Sequence, residues 1–126
     1  MKIEEVLELQ LKLQEDMGRP MDGGGGGNIS AGVKENMLAL IVEATEVLNE
    51  VNWKPWKPLD KVIDRQALLT ELVDVLQFWS NAVSAAGFTA TDVAAAYREK
   101  LRVCYVRIAQ RQSSELSRNL PHVDNR

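Results

Sequence analysis

The chain has 126 residues, 45% of them hydrophobic and 26% charged, with a formal net charge of −3. That length supports one hydrophobic core but not two, and no apolar run approaches the roughly 20 residues that span a bilayer. The acidic balance argues against a general nucleic-acid binder, which carries a basic surface, so neither nucleic acid nor membrane is expected as a partner.

The first residues, MKIEEVLELQ, place acids where an export signal would be apolar. Cys104 is the only cysteine, which excludes an internal disulfide and suits a reducing cytoplasm. The only histidine, His122, stands in a polar tail. Its isolation removes histidine-based zinc sites and the usual Ser–His or Cys–His nucleophiles.

In chain order, the periodicity predicts four helices and no strand, hence an all-α, four-helix antiparallel bundle. The first helix, about Lys2 to Met17, carries Ile3, Val6, Leu7, Leu9, Leu11 and Leu13 on a broad apolar face and ends at Gly18 and Pro20. A glycine-rich connector, 18–30, follows, with five consecutive glycines at Gly23–Gly27. It lacks the Gly-Lys-Ser/Thr of a phosphate loop and the preceding strand of a dinucleotide fingerprint. The second helix, about 31–52, has Ser30 as its expected N-cap, and Pro55 and Pro58 bar its continuation. The third runs from about Leu59 to Ala86, with Gly87 as its stop. The fourth is capped by Thr89 or Thr91 and reaches about Gln112. Residues 1–113 are expected to form the domain, and 114–126 a polar, frayed tail.

The second and third helices share a pattern. At 100° per residue, Leu40, Ala44, Val47, Leu48 and Val51 fall in one apolar arc, bordered by Glu43, Glu46 and Glu50. Aligning LIVEATEVL (40–48) with LLTELVDVL (68–76) places Leu68, Leu72, Val75, Leu76 and Trp79 in the matching arc. Glu71 and Asp74 then take the positions of Glu43 and Glu46. One ExxE pair is usually a solvated helix edge. Two in the same frame, beside the same seam, converge when the helices pack. Four half-buried carboxylates repel unless a cation lies between them, and an oxygen-only donor set favours Mg²⁺, with Mn²⁺ as substitute. Di-iron bundles use Glu-x-x-His pairs, and no ExxH occurs here.

Such a site usually serves a substrate bearing more negative charge, such as a polyphosphate. In the fourth helix Tyr97, Lys100, Cys104, Arg107 and Arg111 share a stripe. Lys100 and Arg107 there either clamp phosphate oxygens or belong to a solvated basic face. Trp53 and Trp56 are either packing residues or base-stacking ones.

Together, ExxE on one helix, residues 47–70 between, ExxD on the next and the segment WKPWK (53–57) resemble the all-α nucleoside-triphosphate pyrophosphohydrolases. These include the MazG-type enzymes and the dimeric dUTPases, and the dimeric dUTPase branch is nearest. The resemblance spans about residues 4–111. It implies hydrolysis of a deoxynucleoside triphosphate to the monophosphate and pyrophosphate, with dUTP the first candidate. A MazG-like enzyme for another, purine, nucleotide and a non-enzymatic helical interaction module are the alternatives. By position, Glu43, Glu46, Glu71 and Asp74 would bind Mg²⁺, and Glu46 would orient or deprotonate the attacking water. Lys57 resembles a phosphate contact. The family's fourth-helix pattern is matched at Tyr97, Lys100 and Arg107, while Leu101 and Cys104 stand where asparagines are expected. Gln10 matches a uracil-reading glutamine of the first helix, and Gln14 stands where an asparagine is expected. The resemblance also implies a homodimer or a dimer of dimers, because a compact chain leaves its site open on one side.

Overall fold

A computed structural model describes residues 1–19 and 28–121. The Gly23–Gly27 run and His122 lie outside the described residues. Four helices are formed: α1 (Ile3–Asp16), α2 (Ile29–Asn49), α3 (Arg65–Ala85) and α4 (Ala90–Asn119), with no strand among the described residues. The all-α class expected from the sequence is therefore the observed one. The chain divides into two compact units, Met1–Ala90 and Thr91–Arg126.

Helix ends follow local hydrogen bonding. Both α1 and α3 stop in Schellman turns, at the two glycines that the sequence marks. Gly18 (φ 74) and Gly87 (φ 81) adopt left-handed backbone that other residues avoid. The amides of Gly18 and Arg19 return to Glu15 and Gln14, and those of Gly87 and Phe88 to Ser84 and Val83. The N-termini differ from expectation. Asn28, not Ser30, caps α2, its Oδ1 accepting from the Ala31 amide at 3.2 Å. Asp64 caps α3 by accepting from the Gln66 and Ala67 amides. α3 therefore begins six residues after the expected Leu59. Leu59 and Val62, 72% and 90% exposed, would gain no burial from an earlier start. Thr89 stands immediately before α4, as one of its two expected caps, and α4 continues past Gln112 to Asn119 because no proline intervenes before Pro121.

Within the first unit α3 is central, contacting both α1 and α2. Near the start of α2 a Cβ on Gly32 would lie 3.0 Å from the Ala85 Cβ, at the end of α3. Farther along α2, Glu43 meets Glu71 and Asp74, in the first half of α3. As α2 advances, its partner positions on α3 retreat, so the pair is antiparallel. The buried set is unusual: among the described residues Leu7, Ala82 and Ala85 are its only apolar members, beside Gln10, Gln14, Asn36, Ser80 and Asn81. The α1 stripe that turns inward is Leu7, Gln10 and Gln14, whereas Leu9 and Leu13 of the expected apolar face are exposed. Leu48, Leu72 and Leu76 of the expected seam are exposed as well.

Candidate functional site

Two polar clusters occupy the two ends of the α2–α3 pair. At the end near the α2 C-terminus, one carboxylate oxygen from each of Glu43, Glu71 and Asp74 lies within 4.8 Å of the others, and all three residues are half-buried. The consequence falls on Glu71, whose carboxyl is pushed above its ordinary value. Partial burial is the first cause, followed by the negative charges of Asp74, Glu43 and Glu46 and a side-chain hydrogen bond with Asp74. Glu46 acts on Glu71 through its charge, but it is exposed and outside the group of three. Glu50 is the C-cap of α2 and also lies outside the group. A donor set of carboxylates alone, crowded enough to disfavour ionisation, fits a hard divalent cation.

Two turns along each helix, at Asn36 and Asn81, the chemistry changes from charge to amides. Seven residues of helix rise about 10 Å. Here α1 joins α2 and α3 around a cleft of about 810 Å³ lined by Gln10, Gln14, Asn36, Gln77, Phe78 and Asn81, among others. Gln10 and Gln14 thus come together, buried to 8% and 6% exposure, with Asn36 and Asn81 at 5% and 3%. Gln10 Nε2 donates to Asn81 Oδ1 at 3.0 Å, a buried link from α1 to α3. Asn36 Nδ2 donates to the Gly32 carbonyl at 2.8 Å.

The loop after α2 is folded on its own side chains. Asn52 grips the backbone of Lys61 twice, donating from Nδ2 to its carbonyl and accepting its amide at Oδ1, both at 3.0 Å. The Lys61 ammonium donates to the Asn49 carbonyl, at the C-terminus of α2. Trp53 meets Trp56 edge to face, with ring centroids 5.8 Å apart, and Lys54 Nζ lies 5.4 Å from the Trp53 centroid. Trp53 thus touches Trp56 and Lys54 while remaining 43% exposed, and Lys57 is an exposed member of the same loop. Tyr97, Lys100, Cys104 and Arg107 lie on α4, in the second unit; Cys104 is half-buried and the other three are exposed.

Sequence reasoning missed Asn36, Gln77, Phe78 and Asn81. A signal existed: Asn36 precedes Glu43, and Asn81 follows Asp74, by seven residues, which keeps them on nearly the same helical face.

Paired acidic helices, with a carboxylate cluster toward one end and an amide-lined cleft toward the other, define an all-α protein. The family described as dUTPase matches residues 2–84, more than half of the chain, and the chain belongs to that family of dUTPase-like nucleotide pyrophosphohydrolases. The matched segment contains both clusters; α4 lies beyond it. Neither a curated protein nor a solved structure matches the chain.

Proposed function

We propose that the protein hydrolyses a deoxynucleoside triphosphate to the monophosphate and pyrophosphate in a Mg²⁺-dependent reaction, with dUTP as the first candidate. The observation that carries this reading is the spacing of the two clusters: a carboxylate trio about 10 Å along the α2–α3 pair from an amide-lined cleft. A sugar spans such a gap when phosphates lie at one end and a base at the other.

In this reading Glu43, Glu71 and Asp74 hold the metal, with Glu46 beside them. Bound Mg²⁺ neutralises phosphate charge and acidifies water. Glu46, exposed at the rim, orients the attacking water and accepts its proton. Lys57 contacts phosphate oxygens, Gln10 and Gln14 read the base, and Trp53 stacks against base or sugar. No helix among the described residues is long and apolar enough to cross a membrane, and we assign the protein to the cytoplasm.

We also infer a homodimer. Leu38, Ile41 and Val42 on α2 and Leu69, Leu72 and Val73 on α3 are exposed, by 43–58%. Apolar surface of this kind is stabilised by a second copy. In light scattering the wild type should run at about twice 14.1 kDa, and Ile41→Glu should lower that mass; a monomeric wild type would remove the inference.

Pyrophosphate release over a panel of deoxynucleoside triphosphates with Mg²⁺ tests the function, with Glu46→Gln as the control. Turnover of dUTP that Glu46→Gln abolishes is the expected result. Turnover of dGTP or dATP but not dUTP would transfer the protein to a purine substrate. No turnover of any nucleotide, with no metal-dependent shift in melting, would overturn the enzymatic reading.

A further inference from the structure

The segment between α2 and α3, residues 50–64, has no helix or strand of its own, yet side chains close it. Asn52, just past the end of α2, holds both backbone groups of Lys61, just before the start of α3. Its Nδ2 donates to the Lys61 carbonyl and its Oδ1 accepts the Lys61 amide, each at 3.0 Å. The pairing fixes the side-chain amide, because turning it over would set donor against donor and acceptor against acceptor. The Lys61 ammonium donates to the Asn49 carbonyl, which brings a cation to the C-terminus of α2, a helix with no basic residue in its last turn. This clasp closes residues 53–60 into a lobe. Within the lobe the Lys57 amide donates to the Lys54 carbonyl at 3.2 Å, and Pro55 and Pro58 narrow its backbone freedom.

Lys54, Lys57 and Lys61 line the small cavity of this loop, about 220 Å³. Two of their ammonium groups are occupied: Lys61 by the Asn49 carbonyl, Lys54 by the Trp53 ring. Lys57 is exposed, and its ammonium makes no ion pair or hydrogen bond among the described residues. The roots of the loop stand at the end of α2 and the start of α3. Each root is about 9 Å of helical rise from a carboxylate of the trio, Glu43 on one side and Glu71 on the other. We propose that Asn52 is a positioning residue for the triphosphate: it closes the loop at its base and so presents the free Lys57 ammonium at the carboxylate end. This rests on the reading of Lys57 as a phosphate contact. A lysine on an open loop loses affinity to the entropy of ordering that loop around the substrate. With the clasp made, that ordering is complete before substrate arrives.

The test is a double-mutant cycle on kcat and KM in wild type, Asn52→Ala, Lys57→Ala and the double variant. Its substrate is the deoxynucleoside triphosphate turned over fastest, with dUTP tried first. Asn52→Ala should raise KM about tenfold and leave kcat within about twofold. In the Lys57→Ala background the same change should raise KM by no more than about twofold, because a residue that acts through Lys57 then has nothing left to position. A measurement without turnover stands beside these. The Lys61 backbone amide should exchange slowly with solvent in wild type and faster in Asn52→Ala, while the amides of α2 and α3 keep their rates. A KM effect of Asn52→Ala as large without Lys57 as with it, or no effect at all, would overturn the proposal. So would rapid Lys61 exchange in wild type; each of these results leaves the Lys57 reading intact. An unchanged KM in Lys57→Ala, or a wild type that turns over no nucleotide, would overturn both.

Discussion

The acidic and amide ends of the α2–α3 pair are built by the same two helices but solve opposite problems. At the acidic end Glu43, Glu71 and Asp74 are crowded and repel, and Glu71 responds with a raised pKa. At the amide end Gln10 bonds Asn81, Asn36 bonds the Gly32 carbonyl, and the buried polar side chains carry no charge. Mutual satisfaction stabilises a fold, whereas mutual repulsion costs stability until a cation or a proton relieves it. The acidic end thus costs stability while its charges stand uncompensated, whereas the amide end adds bonded, uncharged polar groups to the core.

The largest expected effect follows from removing charge at the acidic end. Glu71→Gln should reduce kcat for pyrophosphate release by on the order of a thousandfold, the equivalent of several kcal/mol of lost charge stabilisation, while dUMP binding at the amide end survives. If dUMP binding collapses as well, the two ends are not separable. At the amide end, Gln14→Leu should raise KM for dUTP about tenfold, because a base polar group would face a side chain with no hydrogen bond to give. Its kcat should change far less. Steady-state kinetics on the two variants therefore separates the ends: one in kcat, the other in KM.

The two ends were also unequally legible. ExxE and ExxD announce themselves because carboxylates rarely repeat in one helical frame beside a seam, and the structure brings Glu43, Glu71 and Asp74 together. Gln10 and Gln14 entered through family likeness alone, since hydrophobic periodicity assigns a glutamine to the solvent side. The inward stripe Leu7–Gln10–Gln14 defeats that rule, and the same rule placed the exposed Leu9, Leu13, Leu72 and Leu76 inside. The start of α2 was misplaced by two residues because Ser30 and Asn28 are both competent caps, and only the Ala31 amide decides between them. Asn52 carries no sequence signal, because its grip on Lys61 depends on the path of the intervening loop.

A smaller effect concerns stability against pH. Glu71 titrates higher in the folded protein than in the unfolded chain, so the folded state binds its proton more tightly. Its contribution to stability is present below the unfolded carboxylate value and lost as pH rises through the raised folded value. Without divalent metal, melting temperature should fall across that window, by a few degrees at most. Glu71→Gln should remove this component and melt higher than wild type above it, although it is the less active protein. Added Mg²⁺ should reverse the order, since the cation favours the ionised carboxylates. Calorimetry across the window, with and without Mg²⁺, checks both signs. A wild type that melts above Glu71→Gln without metal would mean that the acidic end is already relieved.

The smallest expected effect sits where Gly32 of α2 faces Ala85 of α3. Gly32→Ala should gain up to about 1 kcal/mol of helix propensity in the first turn of α2. The new Cβ, however, would stand 3.0 Å from that of Ala85, both rooted in backbone. Separating the helices to admit it costs about 1–3 kcal/mol, so the net should be neutral to mildly destabilising by chemical denaturation. Its position gives it more diagnostic value than its size. Asn36 bonds the Gly32 carbonyl, and both residues line the amide cleft, so the strain should raise KM for dUTP modestly. Glu43 lies three turns farther along α2, near the C-terminus of the helix, and kcat should hold. Should Gly32→Ala lower kcat instead, the α2–α3 pair would move as one rigid unit, and strain at the amide end would reach the carboxylates.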